Sequence, residues 1–444
     1  MLTLKSNQTP AQRVQLSKST IALGAVLTVL LAAPTGWYVR HTLEQSESPH
    51  PYPFSLTEGT RGEATIERKI AFYEGRIQRN PGDGLDRAAL ASAYLEMAHA
   101  TGDDRWYLLA EQSAQQSLAN LPFSNDGAVL VLAEIAEAKH DFAEAIRLAE
   151  QASGEDALAL IVTAKLAMGE VAAANATAET LVNLTPSLGS LTLRALTRVA
   201  QGDREGALRD FQQAIAAEEP ADPSGSAWAR TLLGRFYAQQ GDHDLAEPLY
   251  REALVIDPNN TLARLQLAVL KTRLGHYRAA ERHYAQVNDP VALHGLARVR
   301  SLRGVATTDA WDTAESALRE HIDENALGHR RDLAHLLLER GHGEDVPEAI
   351  ALLQTEVQNR RDAATLDLLA WALTRGDRWQ EAQQVIQEAL DHGIRDAGIF
   401  YRAGVIEAAL KHPQQAERYF QQAQEADPTF DDQVRHRLGL VAHP

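Results

Sequence analysis

Small and apolar residues recur along this chain at helical spacing, in alternating blocks. In residues 227–260, Leu233, Gly234 and Tyr237 share one face of a first helix. Ala246, Tyr250, Ala253 and Leu254 share one face of a second. The stretch "QQGDHD" separates them; Gly241 suits the end of the first helix and Asp242 can cap the second. "DPNN" then ends the second helix. Small residues at 234 and 246 let the two helices approach, and the larger ones fill the seam. Pro248 lies inside the second helix, where it removes one hydrogen bond and is expected to bend it.

The same offsets return elsewhere. Leu369, Ala370, Leu373, Ala382, Ile386, Ala389 and Leu390 fill them in 363–396, and Gly404, Ala416, Phe420, Ala423 and Pro428 in 397–430. Ile161, Gly169, Ala174, Ala178, Leu181 and Pro186 do so in 155–188. Shorter or irregular units start near 84, 126, 189, 261, 291 and 327, with insertions around "HATGDDRWYL", "VATTDAWDT" and "HGEDVPE". "IERKIAFYEGRIQRNPGDG" reads as a lone second helix before them. About ten units are expected over 63–430. The 34-residue period and the residue types resemble the tetratricopeptide repeat (TPR). The family's usual tryptophan at position 4 is missing from 227–260, where Arg230 stands instead, with Trp228 two residues earlier.

One helical pair cannot bury its apolar face, but stacked pairs bury a continuous core. The expected fold is therefore all-α, a superhelical solenoid that the resemblance makes right-handed. The resemblance also implies a concave groove lined by the first helix of each pair, and protein or peptide partners within it. Carried over by position, the groove residues are Arg235, Gln239, Arg273, His294, Arg298, Arg331, His335, Asp367, Trp371, Arg375 and Tyr401. The arginines predict a groove more basic than the rest of the surface, suited to carboxylate-bearing partners, with Trp371 and Tyr401 as anchoring contacts. The lysine–asparagine clamp of some relatives does not carry over, because the corresponding positions here are Thr231 and Arg235.

Ahead of the array, Thr20–Val39 holds no charge and is near the length of a membrane-spanning helix. Lys5, Arg13 and Lys18 precede it, which predicts a cytoplasmic N-terminus and a solenoid on the periplasmic or extracellular side. The divisions are a basic segment (1–19), a single-pass signal anchor (20–39), a linker (40–62), the solenoid (63–430) and a cap or tail (431–444). A cleaved signal peptide with its apolar region at Ile21–Ala33 is the alternative, although residues 30 and 31 are leucines where cleavage prefers small side chains. The linker, with Pro49, Pro51 and Pro53, is expected to be a spacer with no core of its own.

The net charge of −17 over 444 residues argues against nucleic acid as a partner. No cysteine is present, which excludes disulfides, thiolate metal sites and a cysteine nucleophile. No phosphate loop, nucleophile elbow or HExxH motif occurs. His321, His329, His335 and His342 read as surface histidines. The chain is therefore expected to be non-catalytic and to need no cofactor or metal. The leading expectation is a membrane-tethered scaffold for envelope assembly, biogenesis or secretion. A released soluble binding protein and an accessory subunit of an enzyme complex are the alternatives.

Overall fold

The computed structural model describes residues 48–55, 63–103, 105–305, 308–325 and 329–441. Thr20–Val39, the expected spanning segment, lies outside the described residues. Among the described residues no helix is long and apolar enough to cross a membrane, and no strand occurs.

Helix α1 (Glu63–Arg79) leads into consecutive antiparallel pairs, each made of a first (A) and a second (B) helix. The pairs begin with α2/α3 (Gly84–Thr101, Arg105–Asn120), α4/α5 (Asp126–Ala138, Phe142–Ala149), α6/α7 (Glu155–Ala167, Val171–Leu184) and α8/α9 (Leu188–Ala200, Arg204–Ala216). Next come α10/α11 (Pro223–Ala238, His243–Ile256), α12/α13 (Thr261–Arg273, Tyr277–Tyr284) and α14/α15 (Pro290–Leu302, Thr308–Asn325). The last are α16/α17 (Arg330–Arg340, Val346–Glu356), α18/α19 (Ala363–Arg375, Trp379–Asp391) and α20/α21 (Ala397–Ala409, Pro413–Ala426), followed by the short α22 (Asp432–Arg437).

The seams within pairs follow the spacing read above. A Cβ on Gly234 would sit 2.7 Å from the Tyr250 ring, and one on Gly404 2.5 Å from Phe420. Each glycine admits the aromatic of its own partner helix. Pro248 is accommodated inside α11, which runs on to Ile256 with Pro248 buried. One local expectation differs from the structure. Asp242 sits at the N-cap of α11 without a side-chain capping bond, whereas Asp203 caps α9 by accepting the Gly206 N–H at 2.9 Å.

Later units fold back onto earlier ones, so the coil closes along an edge-to-edge seam. The A–B turns of earlier pairs meet the loops between later pairs in register. Residue 140 is a histidine in the left-handed region (φ 58). Its Nδ1 lies 2.7 Å from Glu356 Oε1 and its Nε2 3.3 Å from Arg360. The Arg361 N–H donates to the Ala167 carbonyl at 2.8 Å. Gly202 (φ 75) faces the Gly393 carbonyl so closely that no Cβ fits. Arg204 donates to the Ala426 carbonyl at 3.1 Å. Arg273 pairs with Asp427, both almost fully buried, and Arg437 of α22 donates to the Arg273 carbonyl at 3.1 Å. Residues 431–440 therefore complete the seam.

The linker is also more structured than expected. Residues 48–55 lie against α10 and α11, with Tyr52 packed on Ala227, Ala253, Ile256 and Ala263.

Candidate functional site

Closing the seam turns the concave face into a lumen of about 980 Å³, a volume typical of ligand sites. The A helices α4, α6, α8 and α10 line one wall, and α16, α18 and α20 the other, so the site exists only when both coils are in place. Leu160, Leu166, Val171, Leu196, Val199 and Leu368 give it an apolar floor, interrupted by charged groups.

Six of the expected groove residues meet there: Arg235, Gln239, Arg331, His335, Asp367 and Trp371. The Arg235 side chain makes no hydrogen bond or ion pair among the described residues, which the other lining arginines do. Arg331 approaches Asp362 at 3.9 Å, Arg360 binds Asp362 at 2.5 Å, and Arg402 donates to Asp367 at 2.6 Å. Burial lowers the Arg235 guanidinium from its ordinary range; Tyr250 and Asp362 oppose this and Arg331 adds to it. Arg235 is thus a half-buried cation whose side chain has no ion pair among the described residues.

The other five fall elsewhere. His294 and Arg298 are buried on Glu339, at 2.6 Å and 2.6–2.7 Å, in a closed charge cluster. Arg273 belongs to the seam. Arg375 is exposed and reaches the Gly341 carbonyl at 3.3 Å. Tyr401 packs on Phe420 and Phe430 beneath Arg435, whose guanidinium is 4.0 Å from the ring centre.

The expectation of a basic groove is not met. Six carboxylates (Glu134, Glu137, Asp332, Asp362, Asp367 and Asp396) line the lumen against four arginines. The arginines picked out in the sequence are mostly neutralised by carboxylates from loops and neighbouring units. Helix spacing gives no view of those partners.

The carboxylates themselves are split by environment. Burial pushes Glu134 up to about 7, with Glu137 and Asp156 adding repulsion. Burial also raises Glu137 and Asp396. Asp332 goes the other way, to about 2, because the hydrogen bond with His329 and the charge of Arg331 outweigh burial. The lumen thus has a protonatable patch on α4 and, on α10, the guanidinium of Arg235.

His335 is not a surface histidine. Burial pushes it down to about 3, with His294 and Arg298 adding to the effect, so it is neutral and packs edge-on against Trp371 at 5.9 Å. His329 is half-buried beside Asp332, at 3.2 Å. His342 is exposed, and the side chain of His321 lies outside the described residues. Among the described residues no cluster of His, Asp or Glu is arranged to hold a metal ion.

Glu134 and Glu137 escaped the sequence reading although the groove offsets, applied to 126–154, reach both. Arg360, Asp362, His392 and Asp396 sit on loops between pairs and carry no periodic signal.

A sequence model described as the tetratricopeptide repeat matches residues 192–261 and 368–429, and a second of the same description matches 237–303. A stretch of 240 residues is 30% identical to Cellulose synthase 1 operon protein C of Komagataeibacter xylinus. The match takes in 49% of this chain and 17% of that protein, so the chain spans well under two thirds of this relative. The crystal structure of the APC/C hetero-tetramer Cut9-Hcn1 is similar at a TM-score of 0.37 and 13% identity, over 84% of this chain and 93% of that one.

Proposed function

We propose that this chain, a tetratricopeptide-repeat protein, is a non-catalytic interaction scaffold that receives a segment of a partner protein in its lumen. The observation that carries this reading is Arg235, a half-buried guanidinium with no ion pair among the described residues, in the wall of a 980 Å³ cavity. An acidic side chain or terminal carboxylate on the partner would supply the missing charge, and the half-buried Leu160, Leu166 and Leu196 would take its apolar part, Trp371 being buried in the core. Because carboxylates outnumber arginines in the lumen, a strongly acidic segment fits poorly; one acidic group set among apolar residues fits best.

The uncharged run Thr20–Val39 supports tethering of the scaffold to a membrane, with the solenoid on the non-cytoplasmic side. Envelope assembly, biogenesis or secretion is the process this arrangement suits. A second reading draws support from the relative named for a cellulose synthase operon: the array is an accessory subunit of a polymer-synthesising enzyme complex.

The test is a photo-crosslinking amino acid at Gln239, in the lumen, with Arg235→Glu as the control. The expected result is a discrete crosslinked partner that is lost in Arg235→Glu while the fold, followed by circular dichroism, is kept. Equal capture by both forms would remove the lumen from recognition. For topology, a C-terminal reporter active only outside the cytoplasm is expected to be active.

A further inference from the structure

The segment Ser48–Ser55, "SPHPYPFS", is built as a ribbon that shows one edge to the solenoid. Ser48, His50, Tyr52 and Phe54 are half-buried, whereas Pro49, Pro51, Pro53 and Ser55 are exposed or nearly so, in strict alternation. Alternate prolines fix their own φ and press the residue before each into an extended conformation. They have no N–H to lose, so they cost nothing on the outward edge. The inward residues present their backbone groups.

Those groups meet a prepared seat. The Tyr52 N–H donates to Glu252 Oε1 at 2.7 Å. Arg230 Nε donates to the His50 carbonyl at 3.0 Å, and its guanidinium lies 5.6 Å from the centre of the Tyr52 ring. Arg230 is 0% exposed and is held from behind by Glu218 and by the Ser226 carbonyl. It occupies position 4 of its unit, where the repeat pattern has tryptophan. At this position the unit carries a pre-aimed hydrogen-bond donor in place of an aromatic packing residue. The recognition is mostly of backbone, with one aromatic for specificity, which is how peptide sites read extended segments.

We propose that the seat formed by Arg230, Glu218 and Glu252 is a second peptide-docking site, separate from the lumen, whose partner is an extended proline–aromatic–proline segment of another protein, and that the chain's own residues 48–55 are its resident competitor. Two backbone hydrogen bonds and three half-buried rings (His50, Tyr52 and Phe54) hold the ribbon, a small enough set to be displaceable. Its tethering gives it an effective concentration on the order of millimolar, which an incoming segment must exceed. This site does not depend on the lumen reading, and its test leaves the lumen untouched.

The experiment uses the full chain with residues 48–55 replaced by alternating glycine and serine, and a fluorescent peptide of sequence SPHPYPFS read by anisotropy. The expected result is binding to the replaced chain at least tenfold tighter than to the natural chain, and its loss with the Tyr52→Ala form of the peptide. No binding to a replaced chain of unchanged helicity, or equal binding to both chains, overturns the proposal. Independently of that variant, amide exchange at Tyr52 in the natural chain is expected to be slow and to quicken with excess unlabelled peptide. Exchange that is fast from the outset, or indifferent to the peptide, would equally overturn it.

Discussion

Gly234, inside the A helix α10, and Gly202, in the A–B turn after α8, are both glycines, and they exist for different reasons. Gly234 is small because Tyr250, sixteen residues on in the same helical pair, fills the space a Cβ would take. Gly202 is small because the backbone at Gly393, from a unit half the array away, lies against it, and because its φ of 75 favours glycine. The first belongs to the grammar of one repeat. The second belongs to the closure of the coil on itself. The pair-internal seams give the array its stability, while the edge-to-edge seam makes the lumen.

This difference can be broken experimentally, and the largest effect is expected where a seam charge is buried. Asp427→Ala strands Arg273 in the closed coil, and losing one partner of a buried pair costs about 3–5 kcal/mol. In urea, the seam of this variant should open in a transition that precedes loss of helicity. A single coincident transition at the natural midpoint would show that seam and pairs are one cooperative unit.

Gly234→Leu should cost about 1–3 kcal/mol through overpacking against the fully buried Tyr250. It acts on the pair, so the melting temperature should fall while contact between the coils persists. Selective opening of the seam in this variant would reverse the assignment.

The pairs were legible in the sequence because their contacts repeat at fixed offsets on neighbouring helices. The six lumen residues were legible for the same reason, since position along an A helix sets the face a side chain occupies. The seam was not legible: Arg273–Asp427 joins residues 154 apart, and each partner alone looks like a solvated helix or loop charge. That blindness produced the expectation of a basic groove. The arginines were visible from helix spacing, but Asp362 and Glu339, which neutralise them, were not tied to them by any repeat offset. The ribbon at 48–55 was misread because proline-rich composition describes stiffness and says nothing about what a stiff segment lies on.

A smaller effect is expected from pH. Glu134 has its folded value raised to about 7, so it binds more protons folded than unfolded. Its contribution is intact below its ordinary value and is lost as pH rises through about 7. Glu134→Gln should therefore leave stability unchanged near pH 4 and raise it by about 1–2 kcal/mol at pH 8, measured by urea titration at both values. A gain of equal size at both pH values would show that the carboxyl is not titrating there.

The smallest effect is expected at Arg375, which is exposed and makes one long bond to a carbonyl. Arg375→Ala should change stability by less than about 0.5 kcal/mol and leave lumen crosslinking intact.

Closure of the coil is the claim on which the lumen rests, and the absence of cysteine makes it directly measurable. His243 Nε2 and Thr429 Oγ1 face each other at 3.2 Å across the seam. In the double variant His243→Cys, Thr429→Cys, a short bismaleimide should join the two sites within a single chain at low protein concentration, seen as one intramolecular link by peptide mass spectrometry. Complete labelling of both cysteines with no link between them would mean that the coil stands open and that there is no lumen.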